Sequence, residues 1–150
     1  MRLASARTEL SLPPAEALEL WSDVDRWPSF VEGFARRLEL TEAWPEPGGR
    51  VVWESTPDGR GRVTERVTEN APDRFATQVF DKALVGNQTL RALPASGGSE
   101  VELSLEYDLT GYGPLRGIAD ALFIRRALRD SLKRTLYRFS VEADDEAGLR

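Results

Sequence analysis

The sequence predicts an α+β fold in which a curved antiparallel sheet of seven strands wraps one long C-terminal helix, with two short helices after the first strand. Three observations carry this. From Phe34 to Leu109 the apolar residues recur with a period of two, broken by turn-rich clusters. From Ile118 to Ala147 the chain runs without glycine or proline and keeps a helical period. Ahead of both, an alternating segment ends abruptly at Pro13-Pro14. Strands grouped in one stretch, with helices outside it, give the α+β order.

The first strand spans Leu3 to Leu12, with Ala4, Ala6, Thr8, Leu10 and Leu12 on one side and Ser5, Arg7, Glu9 and Ser11 on the other. Pro14 suits a first helical turn, and Ala17, Leu18, Leu20 and Trp21 supply the apolar side of a helix ending near Ser22. A second short helix starts around Trp27-Pro28 and carries Phe30 and Val31. Six strands follow, near Phe34 to Trp44, Arg50 to Thr56, Arg60 to Glu69, Arg74 to Phe80, Leu84 to Leu93 and Ser99 to Leu109. The clusters at Pro45 to Gly49, Pro57 to Gly59, Asn70 to Asp73 and Pro94 to Gly98 separate them as the short turns of a meander. In the last strand, Val101, Leu103, Leu105, Tyr107 and Leu109 face one way, and Glu100, Glu102, Ser104, Glu106 and Asp108 the other.

After Gly111-Tyr112-Gly113, Pro114 opens the long helix. At about 100° per residue, Ile118, Ala121, Leu122, Leu128, Leu132, Leu136 and Phe139 form one stripe, opposite Arg116, Asp120, Asp130, Arg134 and Arg138. Such a helix spans roughly 40 Å and must lie across several strands. The acidic tail from Asp144 is expected to fray. Residues 1–150 read as one domain, without repeat or linker.

The chain has no cysteine and no histidine, which excludes thiolate nucleophiles, imidazole bases and the usual soft-metal sites. No metal and no cofactor is expected. With 25 acidic and 20 basic residues the net charge is -5, which favours solubility over a general affinity for nucleic acid. No segment reads as a signal peptide or a membrane span, so the expected address is the cytoplasm. Between Gly113 and Ser140, seven positive residues stand against Asp120 and Asp130. This basic helix face, which RNA or an anionic membrane would also suit, is read as a solvated surface opposite the acidic exterior of the last strand. A monomer or a homodimer fits the sequence equally.

A single helix is narrow beside seven strands, and small side chains such as Gly86 do not fill the difference, so an apolar hollow is expected between helix and sheet. Arg125 falls at the centre of the helix stripe formed by Ile118, Leu122, Leu132 and Leu136, where an unpaired charge needs a partner. Glu65 shares a strand face with Gly61, Val63 and Val67, whereas Arg62, Thr64, Arg66 and Thr68 form a register that should face water. An inward Glu65 is read first as the counter-ion of Arg125, with a general base or a hydrogen-bond anchor as the alternatives. Tyr107 should bury its ring among leucines and leave its hydroxyl seeking a partner. Gln88 faces inward if Leu84, Gly86 and Leu90 do, although the face of Val85, Thr89 and Leu93 reads almost as well.

The opening SLPPAEALELWSDVDRWPSF, the strand VELSLEYDLTGYGPL and the long closing helix, in that order, resemble the START and birch-pollen-allergen superfamily, in particular its polyketide cyclase/dehydrase-like branch. The resemblance covers nearly the whole chain and implies a helix-grip fold that encloses a cavity for lipids, polyketides or other apolar molecules. It also implies that the second helix and the strand after it frame the cavity entrance, which selects Trp27, Phe30, Phe34 and Trp53 among the aromatic residues. With Glu65, Gln88, Tyr107, Leu122 and Arg125 these make up the candidate ligand-binding set. A hydrophobic-ligand binding protein is the leading expectation, an aromatase/cyclase or dehydrase the second. Against such cyclases read without gaps, Phe34 stands in place of a tyrosine and Asn70 in place of an arginine. A third expectation, quinone binding, rests on WPSFVEGF, which is similar to the aromatic-proline helix of the coenzyme-Q-binding branch.

Overall fold

The computed structural model describes residues 1–110 and 118–149, with backbone alone at 118–121. The segment Gly111 to Gly113, the expected helix start at Pro114 and Arg116 lie outside the described residues, as do the side chains of Ile118, Asp120 and Ala121. The elements are β1 (Arg2–Leu10), α1 (Pro14–Ser22), a 3-10 turn (Val24–Arg26), α2 (Trp27–Phe30), β2 (Phe34–Leu40), β3 (Arg50–Ser55), β4 (Arg62–Ala71), β5 (Arg74–Phe80), β6 (Leu84–Ala95), β7 (Gly98–Leu109) and α3 (Ile118–Gly148). Pro14 occupies the first turn of α1, as its missing N–H allows.

All seven strands form one antiparallel sheet in the order β1-β7-β6-β5-β4-β3-β2. Strands β2 to β7 are the expected meander, and β1 closes beside β7. The periodicity fixes the inner face. Ala4, Ala6 and Leu10 of β1, Val63, Glu65 and Val67 of β4, and Val101, Leu103, Leu105 and Tyr107 of β7 are all buried. In β6, buried Leu84, Gly86 and Leu90 decide the register of Gln88. Gly86 is forced by close packing, because a Cβ there would lie 2.3 Å from the Glu106 carbonyl oxygen.

Two expectations give way. The strand expected to reach Trp44 stops at Leu40, after two register shifts, and Trp44 turns inward to donate its indole N–H to the Ser22 carbonyl at 2.8 Å. The acidic tail does not fray before Gly148: Ser11 donates a hydrogen bond to Asp144, and Arg26 bridges Glu142 and Glu146 of α3. Both contacts pin the last turns of α3, one to the residue just after β1 and the other to the 3-10 turn after α1.

The hydrophobic core lies between the inner face and α3, whose buried row is Leu132, Leu136, Phe139 and Ala143, with Leu128 half-buried. An aromatic cluster fills much of the hollow. Trp21 stacks on Phe30 at 5.5 Å and meets Phe139 edge-on at 5.1 Å, while Trp44 contacts both Trp27 and Phe75. The interior is therefore packed more fully than the width of the sheet alone suggests, and the remaining space concentrates toward the N-terminal half of α3.

Candidate functional site

Glu65 sits at the centre of the inner face with only 4% of its surface exposed. It pairs across the sheet with Val51 on β3 and Val79 on β5, so Trp53 and Thr77 are its diagonal neighbours on the same face. Both turn to it: the Trp53 indole N–H donates to Oε2 at 2.8 Å and the Thr77 hydroxyl donates to Oε1 at 3.1 Å. Burial pushes the Glu65 carboxyl above its ordinary range, and the Trp53 hydrogen bond, the charge of Arg60 and the Thr77 hydroxyl pull it back only in part.

Arg60 is the nearby cation, and the turn before β4 holds it in place. Gly61, at φ +79°, lets the chain double back, and its N–H donates to the Ser55 hydroxyl at 2.8 Å. The Arg60 Nε donates to Asp81 at 2.7 Å, and its guanidinium carbon lies 5.8 Å from the centre of the Trp53 ring. Asp81 is itself held in place, since its other oxygen accepts the N–H groups of Ala83 and Leu84 at 2.8 and 3.0 Å. The Arg60 Nη2 is buried and has no hydrogen-bond partner.

Arg60 and Ser131 line two neighbouring spaces. The inner chamber, about 60 Å³, is walled by Trp21, Trp27, Trp53, Glu65, Gln88 and Thr135, among others, and has room for a small polar head group. The outer groove, about 270 Å³, runs between α3 and two strand turns, along Ala83, Leu84, Leu109, Ile124 and Leu128. Across the chamber mouth, Thr135 accepts the Glu32 N–H at 3.1 Å, and Arg134 clamps the Glu32 carboxylate at 2.6 Å. Among the described residues no His/Cys/Asp/Glu cluster could hold a metal ion, and no helix is long and apolar enough to cross a membrane.

The structure thus brings Trp27, Trp53, Glu65 and Gln88 together in the chamber. Phe34 backs it by stacking on Trp53 at 5.3 Å, and Phe30 is core, fully buried against Trp21 and Phe139. Tyr107 is fully buried, its hydroxyl pKa raised by desolvation and its oxygen unpartnered among the described residues.

Leu122 and Arg125 depart from expectation. Leu122 is 60% exposed, and Arg125 is exposed and donates its Nε to the Leu3 carbonyl at 3.0 Å. The reason is where α3 rests. Near Arg125 the helix packs against β1, the edge of the sheet, so Leu122 and Arg125 project outward while Ile124 and Leu128 turn to the groove. Glu65 forms no ion pair with Arg125, and the charge that reaches it belongs to Arg60. Sequence reasoning missed Arg60 because the expected strand placed it in the outward register of Arg62 and Arg66, whereas the turn at Gly61 breaks that alternation. Thr135 and Ser131 were hidden among the polar residues of a mixed helix face.

The family model described as polyketide cyclase / dehydrase and lipid transport matches residues 1–143. The chain belongs to that family. The polyketide cyclase/dehydrase and lipid transport fold is shared by solved structures of low sequence identity. The di-domain aromatase/cyclase StfQ from the steffimycin biosynthetic pathway matches with TM-score 0.77 and 16% identity over 97% of this chain and 51% of its own. The aromatase/cyclase Zhui from Streptomyces sp. R1128 matches with TM-score 0.72 and 14% identity, over 99% of this chain and 94% of that one. A START superfamily protein from Mycobacterium smegmatis has TM-score 0.76 and 11% identity, over 95% and 97%. A sequence search of curated proteins returns no match. Relative to the cyclase pattern, Asn70 donates to the Pro45 carbonyl at 3.1 Å and lines a separate surface groove.

Proposed function

We propose that this chain binds a small, mostly apolar molecule whose body lies in the outer groove and whose polar end enters the inner chamber. The observation that carries the reading is that Arg60 and Ser131 line both an apolar outer groove and a polar, buried chamber. Burying apolar ligand surface drives binding, while a few fixed polar groups set its orientation. The family description, which names polyketides and lipid transport, supports the same class of guest. Intrinsic tryptophan fluorescence tests this directly, because Trp21, Trp27 and Trp53 line the chamber. Medium-chain fatty acids, benzoquinones and naphthalene-based polyketide fragments should produce a saturable change together with a rise in Tm. A complete lack of response across the panel refutes the reading.

One observation favours a catalytic version. A carboxyl held above its ordinary range beside a cavity can pass a proton to or from a reacting carbonyl, as an aldol cyclisation and loss of water require. In that case Glu65→Gln abolishes turnover of a reactive polyketone while ligand binding persists. Equal product formation by the variant removes Glu65 from the chemistry.

A further inference from the structure

The inner chamber is unbalanced in its hydrogen bonding. Its carboxylates are already engaged: Glu65 receives Trp53 and Thr77, one at each oxygen, and Asp81 at the base of Arg60 receives three N–H donors. Donors are left over. Arg60 Nη2 is buried without a partner, and the Thr135 hydroxyl, which accepts from Glu32, retains its own proton. A buried N–H without an acceptor is unfavourable, and on a charged group the more so. Whatever enters from the groove and offers an acceptor at Nη2 relieves that deficit.

We propose that Arg60 is the specificity-determining residue of this site, selecting ligands whose buried end is an sp2 oxygen acceptor, a ketone or a carboxylate, over ligands ending in hydrocarbon or ammonium. This rests on the binding reading above and deepens it. The guanidinium is held before any ligand arrives, by Asp81 on one edge and the Trp53 ring on its face. Its orientation therefore adds little ordering cost on binding. A planar fork also matches an sp2 oxygen better than a single ammonium does.

The test uses four probes with one bicyclic body: ethylnaphthalene, acetylnaphthalene, naphthoate and naphthylmethylammonium. Calorimetric titration of the full chain should give acetylnaphthalene an affinity about tenfold or more above ethylnaphthalene, with the ammonium weakest. The order of naphthoate and acetylnaphthalene tells whether the preferred oxygen is anionic or neutral. In Arg60→Met the gap between ketone and hydrocarbon should close, the larger loss falling on acetylnaphthalene. As a second measurement independent of any variant, NMR of isotope-labelled arginine in the parent protein should show the Arg60 Nη signals moving with acetylnaphthalene and not with ethylnaphthalene. Equal affinity for ketone and hydrocarbon, or an Arg60 signal unmoved by bound ketone, overturns the proposal and leaves the pocket standing. Failure of every probe to bind overturns both.

Discussion

Replacing Glu65 with Gln separates charge from shape at the centre of the inner face. The amide is nearly isosteric, its oxygen can still accept the Trp53 N–H, and its NH2 can donate to the Thr77 hydroxyl in place of accepting from it. What disappears is the ionisable proton. Burial holds the folded carboxyl above the ordinary 4.5 of an exposed chain, so between those two values the folded state keeps a proton that the unfolded state has released. Stability of the parent is therefore fully present below the unfolded value. It falls as pH rises through the interval, by at most about 1.4 kcal/mol per pH unit, and levels off above the folded value. The variant lacks this slope. Urea denaturation of both proteins at about pH 4 and about pH 8 should find the variant gaining on the parent from the lower pH to the higher. A difference that stays the same at both pH values refutes the desolvation argument.

Other perturbations test the packing. Phe139→Ala removes a fully buried ring that touches both Trp21 and Phe30, and should cost about 3–5 kcal/mol in denaturant unfolding. Gly86→Ala drives a Cβ against the backbone of β7 and should destabilise by about 1–3 kcal/mol, with chemical-shift changes concentrated in β6 and β7. Arg125→Ala should change stability by no more than about 0.5 kcal/mol, because its side chain is solvated and makes one exposed hydrogen bond. A larger loss would mean that Arg125 acts in the interior after all.

The sheet was legible because most of its strands have one face in the core and one in water, so alternation in β1, β4 and β7 marks the inner residues directly. Glu65 stood out by the same logic, as a charge in an apolar register. The helix was harder. Its stripe gives the angle of each side chain around the axis and says nothing of where along the axis the sheet ends, so Arg125 was assigned to a core that stops short of it. Arg60 shows the complementary limit. Parity carries information only within a strand, and one left-handed glycine between Arg60 and β4 erases it. Volume is also beyond reach of a linear pattern, since the interdigitation of Trp21, Trp27, Trp44 and Phe139 depends on rotamers in three dimensions.

The two margins of the sheet have a consequence for how such molecules behave when crowded together. A bare outer strand is a template on which another chain can extend the ladder. On one side, β2 breaks its pairing twice and carries Arg36, Arg37 and Glu39 to the surface. On the other, α3 packs against β1 and places a guanidinium on its Leu3 carbonyl. Growth from one margin meets irregular, charged backbone, and growth from the other meets a helix already in the way, so the architecture that shapes a cavity also discourages amyloid-like stacking.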